Sequence, residues 1–293
     1  MISMHDGTDT LRPLRAAGAL IAVLTMAALS VADGARAAGG CGEIVTLKGH
    51  DDSTVEYTHS GVSDGAKAAL VLLPGGGGFL KLDHDGCPRK LKGNSLVRSQ
   101  ALFHKNGFVT ALADAPSDRQ GKAGLGGFRI RSKHADDIGK VISDVRERTG
   151  LPVWLIGTSR GAISAANAAS RLSGTAAPDG LVLTSPVTSG FEGGRKRWVA
   201  QTVFSNDLDA IRMPVLVVVH EADKCIRTPP ILGPRVIRKT NTTRGQAVTV
   251  SGGPGLAGGE SVKACKGRSP HGFLGQEAEV IAGISRFVLG GKF

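Results

Sequence analysis

The chain has 293 residues, 41% of them apolar and 21% charged, with 36 Lys and Arg set against 25 Asp and Glu for a net charge of +11. That balance excludes intrinsic disorder and coiled coil as the main state, and the length suits one enzyme-sized domain or two small ones. Apart from the stretch 16–32, no apolar run approaches the ~20 residues that a membrane-spanning helix needs.

Arg12 and Arg15 precede that stretch, and Ala35-Arg36-Ala37 follows it with the small-x-small pattern that a signal peptidase accepts. The order predicts a cleaved secretory signal over 1–37 and one domain over 38–293, with no stable membrane insertion after cleavage. An uncleaved anchor is the alternative. Removing 1–37 takes away as many acids (Asp6, Asp9, Asp33) as bases (Arg12, Arg15, Arg36), so the positive charge belongs to the mature chain.

All four cysteines, Cys41, Cys87, Cys225 and Cys265, lie beyond the cleavage point, as a periplasmic or extracellular protein in an oxidising compartment would have them. An even count allows two disulfides in three connectivities. The spacing is unlike the paired CxxC of a structural zinc site, and neither a metal nor another cofactor is expected. The charge suits anionic partners, and the basic residues are not interleaved with stacking aromatics, so nucleic acid is not expected.

Short apolar runs alternate with helical stretches, the pattern of a mostly parallel sheet with helices on both faces. Polar alternation over 43–48 and 54–59 predicts an opening antiparallel pair. Buried strands are predicted over 69–73, 108–113, 153–157, 181–184, 215–220 and 246–250. Helices are predicted over 95–105 with Asn94 as cap, over 132–148 up to Gly150, over 159–172, and over 274–289 before Gly290-Gly291. The stretch 186–209 is the widest interruption. It is too short for a large cap domain, and it carries Arg195-Lys196-Arg197, a solvated run or a basic rim for an acidic substrate.

Gly157-Thr158-Ser159-Arg160-Gly161 fits the strained strand-to-helix turn G-x-S-x-G that lifts a serine oxygen above a sheet. The pentapeptide is a weak signal alone. Gly61-Val62-Ser63-Asp64-Gly65 also matches, yet it opens no helix, so context selects Ser159. The strand 69–73 runs straight into Pro74 and four glycines, whose bare backbone suits an oxyanion hole: Gly76 or Gly77 would give one N–H and Arg160 the other. The strand 215–220 is followed by Glu221 and Asp223, and His271 sits in a loop before the last helix. A serine hydroxyl needs an imidazole to take its proton, and the imidazole needs a carboxylate to fix its tautomer. Ser159, Asp223, His271 is the predicted set, with Glu221 as the competing acid.

With these elements in this order the chain resembles the α/β-hydrolases, especially compact esterase-like and dienelactone-hydrolase-like members. The resemblance covers nearly the whole mature chain, with Pro74-Gly75 where the family often has His-Gly and Ser159 where dienelactone hydrolases have cysteine. It implies a serine hydrolase cleaving a carboxylic ester, possible anionic small molecules included, through an acyl-enzyme. It also implies that the acid and base loops meet, pairing Cys225 with Cys265 and leaving Cys41 for Cys87. An amidase or peptidase on the same residues is one alternative, and a non-catalytic envelope protein binding anionic polymer is another. Asp114, Ser117 and Asp118 follow a strand at the edge where ligands gather and are candidates to line the pocket or to turn the chain. Asp83-His84-Asp85-Gly86 reads as a surface loop, and His134 and Asp136 as the start of a helix with no required chemistry.

Overall fold

The computed structural model describes residues 40–293, and the signal segment predicted over 1–37 lies outside them. Eight strands form one sheet: β1 (Glu43–Lys48), β2 (Thr54–Ser60), β3 (Ala68–Leu73), β4 (Phe108–Ala113), β5 (Val153–Thr158), β6 (Gly180–Thr184), β7 (Val215–His220) and β8 (Gly245–Val250). Helices are α1 (Ser95–Arg98), α2 (Gln100–Lys105), α3 (Ser132–Thr149), α4 (Gly161–Arg171), α5 (Gly233–Arg238) and α6 (Glu277–Val288). The spatial order is β1-β2-β4-β3-β5-β6-β7-β8, and β2 alone runs against the rest, antiparallel to β1 and β4.

Every residue of β3 to β7 is buried, because helices cover both faces and both sets of alternating side chains must be apolar. From β3, Ala69, Val71 and Leu73 enter the core that includes residues of α3, α4 and α5. Ala68, Leu70 and Leu72 enter the opposite core, shared with α1, α2 and α6. The edge strand β8 instead alternates exposed and half-buried positions.

Three predicted helices differ in outline. The run 95–105 breaks at Ser99, whose φ of −101° and ψ of 4° leave the helical region, although Asn94 does cap the first piece by accepting from the Leu96 N–H at 3.1 Å. The last helix starts at Glu277, not at 274, because Phe273 and Gly275 adopt left-handed backbone with φ of 58° and 78°. The helix predicted from 159 starts at Gly161, for reasons of the turn described below. α5 was not predicted; Gly233-Pro234 reads as a turn, yet proline is tolerated in a first helical turn where its missing N–H is not needed.

β3 lies between β4 and β5, so the chain leaves it toward one edge and later returns to its other side. A crevice opens at the carboxyl ends of strands at such a switch point, and the loops after β3 and β5 face it. No helix among the described residues is long and apolar enough to cross a membrane.

Candidate active site

The turn from β5 into α4 is so tight that only glycine fits on either side of Ser159. A Cβ on Gly157 would stand 2.6 Å from the Gly161 carbonyl oxygen and 2.8 Å from the Ala162 Cα. A Cβ on Gly161 would collide with the Leu73 carbonyl oxygen. Ser159 itself has φ of 53°, a conformation that costs an L-residue roughly 1–2 kcal/mol, and its N–H donates to the Thr184 carbonyl at 2.9 Å. The strain is held by the sheet and leaves Oγ facing the crevice.

His271 sits on a one-turn 3₁₀ segment, Pro270–Gly272, capped by Ser269, whose Oγ accepts from the His271 N–H at 3.2 Å and donates to the Lys266 carbonyl at 2.7 Å. Its Nε2 is 3.0 Å from Ser159 Oγ, and its Nδ1 is 2.9 Å from Asp223 Oδ2. Asp223 is buried in the turn after β7 against His271, whereas Glu221, the competing candidate, is exposed. Asp223 Oδ1 accepts from the Cys225 N–H at 2.9 Å, and Oδ2 accepts from the Thr228 hydroxyl at 2.7 Å. With the carboxylate accepting everywhere, the imidazole presents Nδ1–H to Asp223 and its Nε2 lone pair to the serine hydroxyl.

Two residues of this arrangement have no motif in the sequence. Thr228 touches both Asp223 and His271 Nδ1, the latter at 3.1 Å. Ser185, at φ of 41° just past β6, donates its hydroxyl to the His271 carbonyl at 2.8 Å. The base loop is further tied down by the Cys225–Cys265 disulfide and by Arg98. The Arg98 guanidinium donates to the carbonyls of Gly93, Gly267 and Gly272 at 2.6, 2.9 and 2.5 Å and to Glu277 at 2.8 Å. Cys41 is bonded to Cys87 away from these loops. Asp223, Cys225 and His271 offer ligand-type atoms within 4.8 Å of one another, but the Cys225 sulfur is already covalently bound, so they form no free donor set for a metal.

The glycine loop after β3 crosses over the serine: a Cβ on Gly75 would meet Ser159 Cβ at 3.0 Å. Gly76, at φ of 59°, lines the cavity in front of Ser159 together with Arg160, while the Gly77 carbonyl accepts from the Leu125 N–H at 2.9 Å. That cavity measures about 640 Å³. The Arg160 guanidinium stacks on the Trp198 ring at 4.0 Å, and burial, helped by the charge of Arg227, pulls its pKa down to about 10. Arg129, also on the cavity wall, is 2% exposed and donates to Ser164 Oγ at 2.7 Å.

Other predicted candidates lie elsewhere. Asp114 does not reach this cavity; it is buried and ties down the loop after β3, accepting the N–H groups of Leu80 and Ala115 at 2.6 and 2.7 Å, with burial pushing its carboxyl up to about 6. Ser117 accepts from the Thr54 N–H, and Asp118 lies 3.2 Å from His50 Nε2. Asp83 caps its own turn by accepting from the N–H groups of Asp85 and Cys87, and it pairs with Arg89 at 2.6 Å. Asp136 is exposed, while His134 is buried with Nε2 2.8 Å from Ser164 Oγ. Arg195, Lys196 and Arg197 are exposed on the connection between β6 and β7.

No family model matches the chain. No curated protein matches it either. Solved structures do: a cold-adapted esterase from an Arctic intertidal metagenomic library matches at 16% identity and TM-score 0.53, covering 83% of this chain and 92% of that one. A monoglyceride lipase variant from Saccharomyces cerevisiae matches at 12% and 0.58, over 86% and 95% of the two chains. An esterase from Pyrococcus furiosus matches at 12% and 0.59, over 86% and 91%. Strand order, the single reversed strand and these structural matches agree: the chain has the α/β-hydrolase fold, and the described residues include no large cap domain.

Proposed function

We propose that the chain is a serine hydrolase that cleaves a carboxylic ester through an acyl-enzyme. The observation that carries this reading is the continuous relay of 3.0 and 2.9 Å from Ser159 Oγ through both nitrogens of His271 to Asp223, ending on a serine held at φ of 53° above a cavity. Ser159 Oγ attacks the ester carbonyl carbon while His271 Nε2 takes its proton, and Asp223 steadies the imidazolium that results. The tetrahedral oxyanion is held by the backbone N–H of Arg160 and by that of Gly76 or Gly77. Collapse breaks the bond to the alkoxy oxygen, which leaves as the alcohol with the proton from His271. Water then adds to the acyl-enzyme with His271 again as base, releasing the carboxylic acid and restoring Ser159.

Esterases and a lipase among the structural matches support the ester class. The two disulfides suit an exported protein, so residues 1–37 are assigned as the signal and 38–293 as the mature domain. The deciding experiment is fluorophosphonate labelling with peptide mapping, alongside hydrolysis of a graded p-nitrophenyl ester panel. Label on Ser159, lost together with turnover in a folded Ser159→Ala variant, is the expected outcome. Wild-type turnover in that variant refutes the assignment.

A further inference from the structure

Resting on the serine-hydrolase reading, we propose that the Ser159 cavity selects esters carrying a second, anionic group beside an apolar chain, with Arg160 and Arg227 receiving the anion. Arg129, Arg160 and Arg227 all line the cavity, and among the described residues no Asp or Glu lines it. Each of the three is engaged by neutral groups: Arg129 by Ser164 and the carbonyls of Pro74 and Gly76, Arg160 by the face of Trp198, and Arg227 by the Val199 carbonyl. Some arginines elsewhere do find carboxylates: Arg89, Arg98, Arg146 and Arg148 have them at 2.6, 2.8, 2.6 and 2.8 Å.

Three guanidiniums gathered on one wall without a counter-ion repel one another, and burial makes the repulsion stronger than it would be in water. Burial lowers the proton affinity of all three, and the charge of Arg227 adds to this at Arg160 and that of Arg160 at Arg129. Arg129 also keeps a buried Nε with no acceptor. An anion in the cavity relieves this arrangement, and a planar carboxylate matches the guanidinium fork. Arg129 is closed in and supports the glycine loop by its contact with the Gly76 carbonyl, which leaves Arg160 and Arg227 to meet the ligand.

The rest of the wall sets the remainder of the substrate. Phe191, Ile226 and Val262 line the cavity while staying 59%, 41% and 64% exposed. Large apolar side chains left in water around a cleft mark a surface that an apolar ligand covers. The complementary molecule is therefore an amphiphile, with an alkyl or aryl portion, an ester at Ser159 and a carboxylate near Arg227.

The test compares kcat/KM for p-nitrophenyl hydrogen adipate and p-nitrophenyl hexanoate, which share chain length and differ in a terminal carboxylate. The wild type is expected to favour the adipate. In Arg227→Gln the adipate-to-hexanoate ratio is expected to fall about 10- to 100-fold, and Arg227→Lys is expected to recover part of it. A wild-type ratio at or below one, or a ratio unmoved by Arg227→Gln, overturns the proposal even where fluorophosphonate labels Ser159. Calorimetric binding of adipate to Ser159→Ala and to Ser159→Ala/Arg227→Gln reads the same question without turnover. At least tenfold weaker binding to the double variant is expected, and equal binding to both overturns it.

Discussion

The molecule holds two clusters of serine, histidine and aspartate, and they have different fates. At the carboxyl edge of the sheet, His271 gives one ring nitrogen to Ser159 and the other to Asp223. In the turn between β1 and β2, Ser53 and Asp137 both approach Nδ1 of His50, at 3.2 and 2.7 Å, and Asp118 faces Nε2. There the Ser53 hydroxyl sends its proton to the His50 carbonyl at 2.6 Å, and both residues are buried. No ring nitrogen of His50 is left to receive a serine proton, and no strained turn presents the oxygen to a cavity. The same three residue types thus serve packing in one place and the proposed relay in the other, and the assignment of partners to the two nitrogens makes the difference.

Substitutions should separate the clusters. The largest effect is expected from Asp223→Asn, which leaves the wrong tautomer facing Ser159 and should lower kcat by a factor on the order of 10⁴. Asp137→Asn, at the matching place in the other cluster, should leave kcat unchanged and lower unfolding stability by about 1–3 kcal/mol. Ester kinetics and chemical denaturation of both variants check the contrast, and a comparable kcat loss in the two would erase it.

The next effect concerns the buried neighbourhood of His50, where Phe128 lies against both His50 and His134. Burial, with the charges of Arg129 and His50 adding to it, lowers the pKa of His134 to about 3. Because the folded value lies below the unfolded one near 6.5, the unfolded chain gains a proton first as pH falls. His134 therefore supports the fold fully above pH ~6.5 and loses that support progressively down to pH ~3, by an amount on the order of a few kcal/mol. Unfolding curves at pH 7 and pH 4 should show a smaller drop for His134→Gln than for the wild type.

The smallest effect is expected at Thr228, which touches both Asp223 and His271 in the proposed catalytic cluster. Thr228→Val removes the donor to Asp223 and should lower kcat about tenfold, with KM little changed and Thr228→Ser restoring the rate. A change confined to thermal stability would reassign Thr228 to packing alone.

Much of this architecture was legible from the chain because parallel strands covered on both faces leave continuous apolar runs such as Leu70-Val71-Leu72-Leu73. Ser159 and Asp223 stood out as candidates because each follows such a run at a turn, and His271 because it stands in the loop before the last helix. The decoy Ser63 was dismissed by its context, and the structure places it in no helix-opening turn. What escaped notice depends on meetings across distance. Thr228 matters only because its turn folds back to meet Asp223, and Arg129 looks like any surface arginine until α4 and the glycine loop enclose it. Of the two readings of Asp114, lining the pocket or turning the chain, the structure favours the second: its carboxylate is taken by the backbone N–H groups of Leu80 and Ala115.

Arg98 ties three loop carbonyls and the first residue of the last helix to one guanidinium, far upstream of the histidine those loops carry. The base is thus moored twice, once by sulfur and once by charge. Reducing conditions cut only the first mooring, whereas replacing Arg98 removes the second. The loop that carries the imidazole is therefore held both by a cystine and by an arginine that lies outside the cavity.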